Sequence, residues 1–185
     1  ALFHIAGFEY GYVGVDVFFV ISGFVIMYAT ENNSSFFFIK RLIRIIPLYW
    51  SITIVWAFLL IVSPNSFEAS FFDYMYFLKS IFFIPFSNDG LAPGIGHSPY
   101  IFLGWSLNYE MLFYLTFQIS IFFSKKMRGV ISIILILLIH FILTSINTDS
   151  YILLTYSSII FLEFALGIFI YYIWIYFKNL NYSNN

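Results

Sequence analysis

The chain contains no cysteine and very little charge. The lack of cysteine excludes disulfides, thiolate metal sites and a cysteine nucleophile. Charged residues make up only 9% of the 185 residues, well below the roughly 25% of an ordinary soluble domain. Lysine and arginine number 8 against 9 aspartate and glutamate, a net charge of -1, so the sequence lacks the basic character of nucleic-acid-binding domains. We expect no nucleic-acid partner.

Apolar and aromatic residues dominate instead. Hydrophobic residues make up 62% and aromatic residues 24% of the chain, with 26 Phe and 15 Tyr. A single soluble core of this size cannot hide so much apolar area, and long apolar runs without turn signals suit membrane helices. A helix satisfies its own backbone in lipid, whereas an isolated strand does not. The sequence therefore predicts an all-α, polytopic transmembrane helical bundle.

The apolar runs predict about five spanning helices and three lesser segments. Residues 1–7 have the character of a first-helix remnant. Residues 36–46 carry basic residues on one side and apolar residues on another, which is typical of an interfacial helix, and we expect Pro47 to begin a new helix. Residues 74–86 are apolar but short, so we expect a re-entrant or interfacial segment. The five expected spans are residues 13–29, 48–62, 105–123, 130–146 and 152–177.

The domain organisation follows from the same runs. Ala1 is not a natural initiator, and the opening stretch ALFHIAGF has the character of a hydrophobic segment cut part-way. The C-terminal stretch NLNYSNN is polar, and nothing in it suggests a soluble second domain. We therefore expect residues 1–185 to form a single membrane-embedded domain that is incomplete at both ends.

Charge asymmetry predicts which side of the membrane each connection faces. Seven of the eight Lys and Arg residues fall in three connections, and Lys79 is the exception. If these three connections are cytoplasmic and residues 74–86 do not span, the chain obeys the positive-inside rule throughout. His4, Asp16 and residues 63–104 then lie toward the outer face. The seven basic residues are Lys40, Arg41, Arg44, Lys125, Lys126, Arg128 and Lys178.

Three of these cations form a cluster, because Lys40, Arg41 and Arg44 lie within about one helical turn. In the simplest interpretation they anchor the chain to anionic headgroups and set its topology. In the alternative they clamp phosphate groups, because arginine forks match phosphate geometry.

Five other titratable residues are candidates for a role. His4 lies beside a polar loop, where an imidazole can act as a general base or serve packing alone. Asp16 begins a membrane helix and can cap free amides or pair with His4. Glu110 needs a partner or a role, because an ionisable group inside a membrane helix is costly. We expect structural pairing for Glu163 and a hydrogen-bonded packing role for His140.

Four stretches occur in a recognisable order. They are His4, the string GVDVFFVISGF at residues 14–24, the Lys40-Arg41-x-x-Arg44 cluster with Pro47, Tyr49 and Trp50, and GWSLNYE at residues 104–110. In these stretches the chain resembles the acyltransferase-3 family of integral membrane O-acyltransferases, which move acetyl or similar groups onto surface sugars. The resemblance covers the chain in motif order.

The resemblance implies roles for particular residues. His4 is the expected general base, working with an arginine about three turns earlier on the same helix, a position that would precede Ala1. The other implied positions are Glu110 and Asp16 in catalysis, Trp105 and Ser106 in substrate binding, and Lys40, Arg41 and Arg44 in binding the phosphates of coenzyme A.

The implied reaction transfers an acyl group, most often acetyl, to a hydroxyl of a cell-surface or lipid-linked carbohydrate such as O-antigen or exopolysaccharide. The expected donor is cytosolic acetyl-CoA or another acyl-CoA, no metal is expected, and the expected setting is the bacterial inner membrane among its lipids. The basic cluster and His4 would then lie on opposite faces, so either the acyl group or the pantetheine arm must cross the bilayer.

Two alternative functions remain open from the sequence. One is a transporter or flippase for lipid-linked sugars, which mid-membrane charges such as Glu110 and Glu163 would also suit. The other is an inactive, truncated acyltransferase, because members of such a family usually have about ten spanning helices.

Overall fold

A computed structural model describes residues 7–63, 72–86, 104–146 and 150–183, with the backbone alone at residues 7–12 and 181–183. These parts of the chain contain helices and no strand. The all-helical membrane bundle predicted from the sequence is confirmed. In chain order the helices are α1 (Gly7–Ala29), α2 (Phe37–Val62), α3 (Tyr74–Ile81), α4 (Gly104–Phe123), α5 (Arg128–Ser145), α6 (Tyr151–Tyr156) and α7 (Ile160–Ser183).

Several helices have the length and composition to cross a bilayer. Within the described ranges these are α2, α5 and the run Tyr151–Leu180, and Val13–Ala29 is a shorter apolar helix. Helix α4 is long enough, at 20 residues or about 30 Å. It falls outside this group because Asn108, Glu110 and Gln118 lower its mean hydropathy. The long helices of the described residues therefore differ in polarity.

Helix α2 differs from its predicted form. We expected an interfacial helix over residues 36–46 and a new helix at Pro47, but α2 runs unbroken for 26 residues through Pro47. Proline lacks an amide hydrogen, so Pro47 leaves the carbonyl of Ile43 without its helical donor, a loss that membrane helices tolerate. One turn later, Ser51 Oγ donates to the carbonyl of Pro47 over 2.7 Å, a local bond within the continuous helix. The basic cluster thus lies in the first turns of a long helix.

The last expected span is divided. Helix α6 ends at Tyr156 and α7 begins at Ile160, with a short break between them. In this break the backbone amide of Phe161 donates to the carbonyl of Ser158 over 3.2 Å. The hydroxyl of Ser158 accepts from the amide of Ile160 over 3.4 Å. Serine hydroxyls compete with helical backbone bonds, which accounts for the break.

The contacts within the chain group it into two compact units. The first unit comprises Ala1–Phe37, Leu115–Ser145 and Ser157–Asn185. The second unit comprises Phe38–Tyr114 and Ile146–Tyr156.

In the first unit, α1 and α7 lie against each other at two glycines. A Cβ atom at Gly167 would overlap the backbone carbonyl of Val20, and one at Gly23 would overlap the carbonyl of Phe164. Small residues allow this close approach of two membrane helices. The helix backbones therefore touch at these positions.

Aromatic rings extend the contact between α1 and α7. The ring of Phe19 lies 4.8 Å from that of Phe164, and the ring of Tyr28 lies 5.8 Å from that of Trp174. Later residues of α1 thus meet later residues of α7, so the two helices run parallel.

Hydrogen bonds join the remaining helices of this unit. Ser132 on α5 donates to Ser120 on α4 over 2.8 Å, and both residues are fully buried. Arg128, at the start of α5, donates to Thr30 Oγ1 over 3.0 Å and to the carbonyl of Met27 over 3.4 Å. Arg128 therefore holds the C-terminal end of α1.

In the second unit, a short segment reaches the middle of α2. Helix α3 has 8 residues, or about 12 Å, which is too short to span. Trp50 Nε1 donates to the carbonyl of Ile81 over 3.0 Å, and the rings of Tyr49 and Phe83 stack 4.8 Å apart. Tyr49 and Trp50 lie at the midpoint of α2. The contact favours the re-entrant alternative for residues 74–86 over the interfacial one.

Candidate active site

The second unit brings the basic cluster and Glu110 together. The hydroxyl of Tyr114 donates to Glu110 Oε1 over 2.8 Å. The guanidinium carbon of Arg41 lies 5.8 Å from the centre of the Tyr114 ring. Glu110 and Tyr114 are only 5% and 4% exposed. Arg41 and Arg44 both act electrostatically on the carboxyl group of Glu110. We name these four residues the Arg–Glu–Tyr cluster.

The helices place the members of this cluster by simple spacing. Glu110 and Tyr114 are four residues apart on α4, and Arg41 and Arg44 are three residues apart on α2. Residues at these separations share one helix face. An ionisable group inside a membrane helix is costly without a partner. Glu110 has a hydrogen-bonding partner in Tyr114, so the sequence-based expectation that it needs one is met.

The positions implied for substrate binding begin α4. Trp105 and Ser106 lie in the first turn and are partly buried. Ser106 shares a face with Glu110 and Tyr114, because each follows the last by four residues. The rings of Trp105 and Tyr109 pack nearly perpendicular to each other, with their centres 6.0 Å apart. The GWSLNYE motif thus leads directly into the Arg–Glu–Tyr cluster.

Lys40 and Asn108 lie near the cluster in sequence but differ in surroundings. Lys40 is exposed, so α2 directs it away from the buried face. Asn108 is 4% exposed, and its Oδ1 has no hydrogen-bond partner within the described residues. Lys40 and Arg44 are both exposed, whereas Arg41 is partly buried.

A second pair of acidic groups lies in the first unit. Asp16 on α1 and Glu163 in the first turn of α7 are within hydrogen-bonding reach of each other. Glu163 Oε2 is buried and has no hydrogen-bond partner among the residues that the structure describes. The expected structural pairing of Glu163 is met by Asp16. The sequence offered no signal for this pair, because it depends on the packing of α1 against α7.

The predictions for His4 and His140 have different outcomes. His4 lies outside the described residues, so its expected role stays a prediction. His140 on α5 was expected to be hydrogen-bonded, but its buried Nδ1 has no partner in the described part of the chain. The described residues also contain no group of three or more His, Asp or Glu that could hold a metal ion.

Sequence reasoning missed Tyr114 and the pairing of Glu110 with the arginines. It placed Glu110 near the outer end of its helix and the arginines at the inner surface. Glu110 lies six residues, or about 9 Å, from the start of α4, yet Arg41 and Arg44 act on it. The one available signal was the four-residue spacing of Glu110 and Tyr114.

The fold and the Arg–Glu–Tyr cluster together define a helical membrane protein with titratable side chains grouped between two of its helices. A family model described as an acyltransferase domain, that of the acyltransferase-3 family, matches residues 2–183. The chain belongs to this family. It is 34% identical over 185 residues to the exopolysaccharide production protein ExoZ of Rhizobium meliloti (strain 1021), an alignment that covers 94% of this chain and 56% of that protein. The chain thus spans little more than half of that relative's length. No solved structure matches.

Proposed function

We propose that this chain is the membrane domain of an acyltransferase that moves an acyl group, most often acetyl, from cytosolic acyl-CoA to a hydroxyl of a cell-surface or lipid-linked carbohydrate. The observation that carries the proposal is the contact of Arg41 on α2 with Tyr114, whose hydroxyl bonds to Glu110 at the end of the family motif GWSLNYE. Family membership and the similarity to an exopolysaccharide production protein support it. The proposed setting is the bacterial inner membrane.

The donor site of the proposal is the basic cluster. Coenzyme A carries phosphate groups, and arginine forks bind phosphate in a fixed geometry. Arg41 and Arg44 provide these forks, and the exposed Lys40 adds a cation at the helix start. Because acyl-CoA is cytosolic, this assignment requires the start of α2 to face the cytoplasm.

The acceptor side of the proposal uses His4, with Trp105 and Ser106 lining the approach of the sugar. His4 takes the proton of the sugar hydroxyl, and the hydroxyl oxygen attacks the thioester carbonyl. An ester bond forms, the thioester bond breaks, and the coenzyme A thiolate leaves and recovers the proton. Asp16 supports the acid–base chemistry at the same face, and residues 1–185 act as one membrane domain.

The test is the acyl ester content of the surface polysaccharide, measured by mass spectrometry. The strains compared are a deletion strain, the same strain carrying the complete gene, and the same strain carrying His4→Ala. We expect acetyl-sized mass additions only with the unaltered gene, at equal protein level and equal polysaccharide amount. Equal ester content in the deletion strain would overturn the proposal.

The same experiment addresses the transporter alternative, which the re-entrant segment near α2 favours. A transporter predicts that deletion leaves the ester content per sugar unchanged and lowers the total surface polysaccharide. Equal ester content in His4→Ala and the unaltered protein, with loss only on deletion, would retain the enzyme and remove His4 as its base.

A further inference from the structure

We infer that Tyr114 is a positioning residue of the acyl-donor site, holding Glu110 and Arg41 so that Arg41 and Arg44 are presented together to a phosphate-bearing ligand. This inference rests on the proposed function, because it assigns the two arginines to the donor. It adds a residue that lies outside the family motifs identified in the sequence.

The geometry gives Tyr114 two separate contacts. Its hydroxyl donates to Glu110 Oε1 over 2.8 Å, and its ring lies under the guanidinium of Arg41, 5.8 Å from ring centre to carbon. A guanidinium over a tyrosine face is attracted by the ring electrons. One buried side chain thus fixes the carboxylate of α4 and the cation of α2.

Two arginines on one helix face repel each other unless an anion lies between them or nearby. Glu110 is that anion, because Arg41 and Arg44 both act on its carboxyl group. Arginine also has many rotamers, and ordering them on binding weakens affinity. Because Tyr114 contacts both Glu110 and Arg41, it orders the guanidinium of Arg41 beside its carboxylate before the donor arrives. The hydroxyl of Tyr114 should therefore affect donor affinity more than the chemical step.

The surroundings of Glu110 indicate that Glu110 also positions the arginines. One of its oxygens accepts from Tyr114, and the guanidinium of Arg41 lies over the ring of that tyrosine. A group with these partners is well placed to hold the arginines. The inference thus assigns to Glu110 an action through Arg41 and Arg44, whereas the family resemblance alone implies a catalytic position.

The test measures transfer of labelled acetyl from acetyl-CoA to carbohydrate in inverted membrane vesicles that contain the complete protein. Tyr114→Phe keeps the ring and removes the hydroxyl. We expect the apparent KM for acetyl-CoA to rise about tenfold, the effect of losing one hydrogen bond to a charged group. We expect kcat to stay within about twofold. Tyr114→Leu, which also removes the ring, should raise KM further.

The matched control is Tyr176→Phe, because Tyr176 on α7 is 63% exposed and its substitution should leave KM and kcat unchanged. In a Glu110→Ala background, Tyr114→Phe should have no further effect, because its hydroxyl then has no carboxylate to hold. An unchanged KM in Tyr114→Phe, or a fall in kcat alone, would overturn the inference.

Arg44→Ala separates the inference from the proposed function. If Arg44→Ala raises KM for acetyl-CoA and Tyr114→Phe does not, the donor site stands and the role of Tyr114 is wrong. If Arg44→Ala leaves KM unchanged, the donor site itself is wrong and the inference falls with it.

Discussion

The partners of Glu110 and Glu163 differ in kind. Glu110 accepts a hydrogen bond from the hydroxyl of Tyr114, and the guanidinium of Arg41 lies over the ring of that tyrosine. Glu163 meets another carboxyl group, that of Asp16. A carboxylate beside cations is stabilised as an ion, whereas two carboxyl groups share a hydrogen bond only when one of them holds a proton. Of the two places, the one around Glu110 therefore carries the cations that phosphate binding needs.

Individual residues of the site were predictable from the sequence to different degrees. The motif GWSLNYE and the cluster of Lys40, Arg41 and Arg44 were found because their residue types are rare in so apolar a chain. Tyr114 was missed because 15 tyrosines make any one of them uninformative. The contact of Asp16 with Glu163 joins residues far apart in the chain, and local patterns carry no information on it.

The hydrogen bond between Ser132 on α5 and Ser120 on α4 gives a prediction at the scale of single residues. Ser132→Ala removes the hydroxyl that donates to Ser120 inside the first unit. Interhelical hydrogen bonds of this kind contribute about 0.6 kcal/mol on average in membrane proteins. We expect a loss of about that size in the free energy of unfolding, measured by titrating the purified protein in mild detergent with a denaturing detergent.

The control for this serine is Ser145→Ala on the same helix. Ser145 is exposed, and its hydroxyl bonds only within α5, to the carbonyl of Phe141. Equal stability losses in Ser132→Ala and Ser145→Ala would show that the interhelical bond contributes nothing.

The helices themselves were the most predictable feature, because long apolar runs have few other stable forms in lipid. The residues at which the helices begin and end were less predictable. Pro47 was expected to begin a helix, but a proline in a membrane helix needs only neighbouring groups that bond to the freed backbone. The break before Ile160 depends on serines whose effect on a helix varies with their surroundings. Hydropathy predicts neither the continuous helix through Pro47 nor the break before Ile160.

The pairing of α1 with α7 gives a prediction at the scale of elements. Gly167→Ala places a methyl group against the backbone carbonyl of Val20, which cannot move without shifting α1. Overpacking of this kind costs about 1–3 kcal/mol. We expect the free energy of unfolding to fall by this amount, measured by circular dichroism during denaturing-detergent titration.

Gly14→Ala serves as the matched control on α1. A Cβ atom at Gly14 has no other heavy atom within 4 Å, and alanine favours a helix over glycine. We therefore expect no loss of stability. If Gly167→Ala is as stable as Gly14→Ala, the two helices do not touch at this glycine.

At the scale of the whole molecule, the topology expected from charge stays a prediction. In the first unit α1 and α7 run parallel, since Phe19 meets Phe164 and Tyr28 meets Trp174. The topology requires this direction if the three basic connections lie on one side of the membrane.

The topology makes the direction of donor access the most informative property of the protein. Sealed vesicles of defined orientation that contain the complete protein and its carbohydrate acceptor are supplied externally with labelled acetyl-CoA, which cannot cross the bilayer. We predict ester formation on the carbohydrate in inverted vesicles, which expose the cytoplasmic face with Arg41 and Arg44, and none in right-side-out vesicles. Transfer by sealed right-side-out vesicles, or no transfer by inverted ones, would contradict an acyltransferase that takes its donor from the cytoplasmic face.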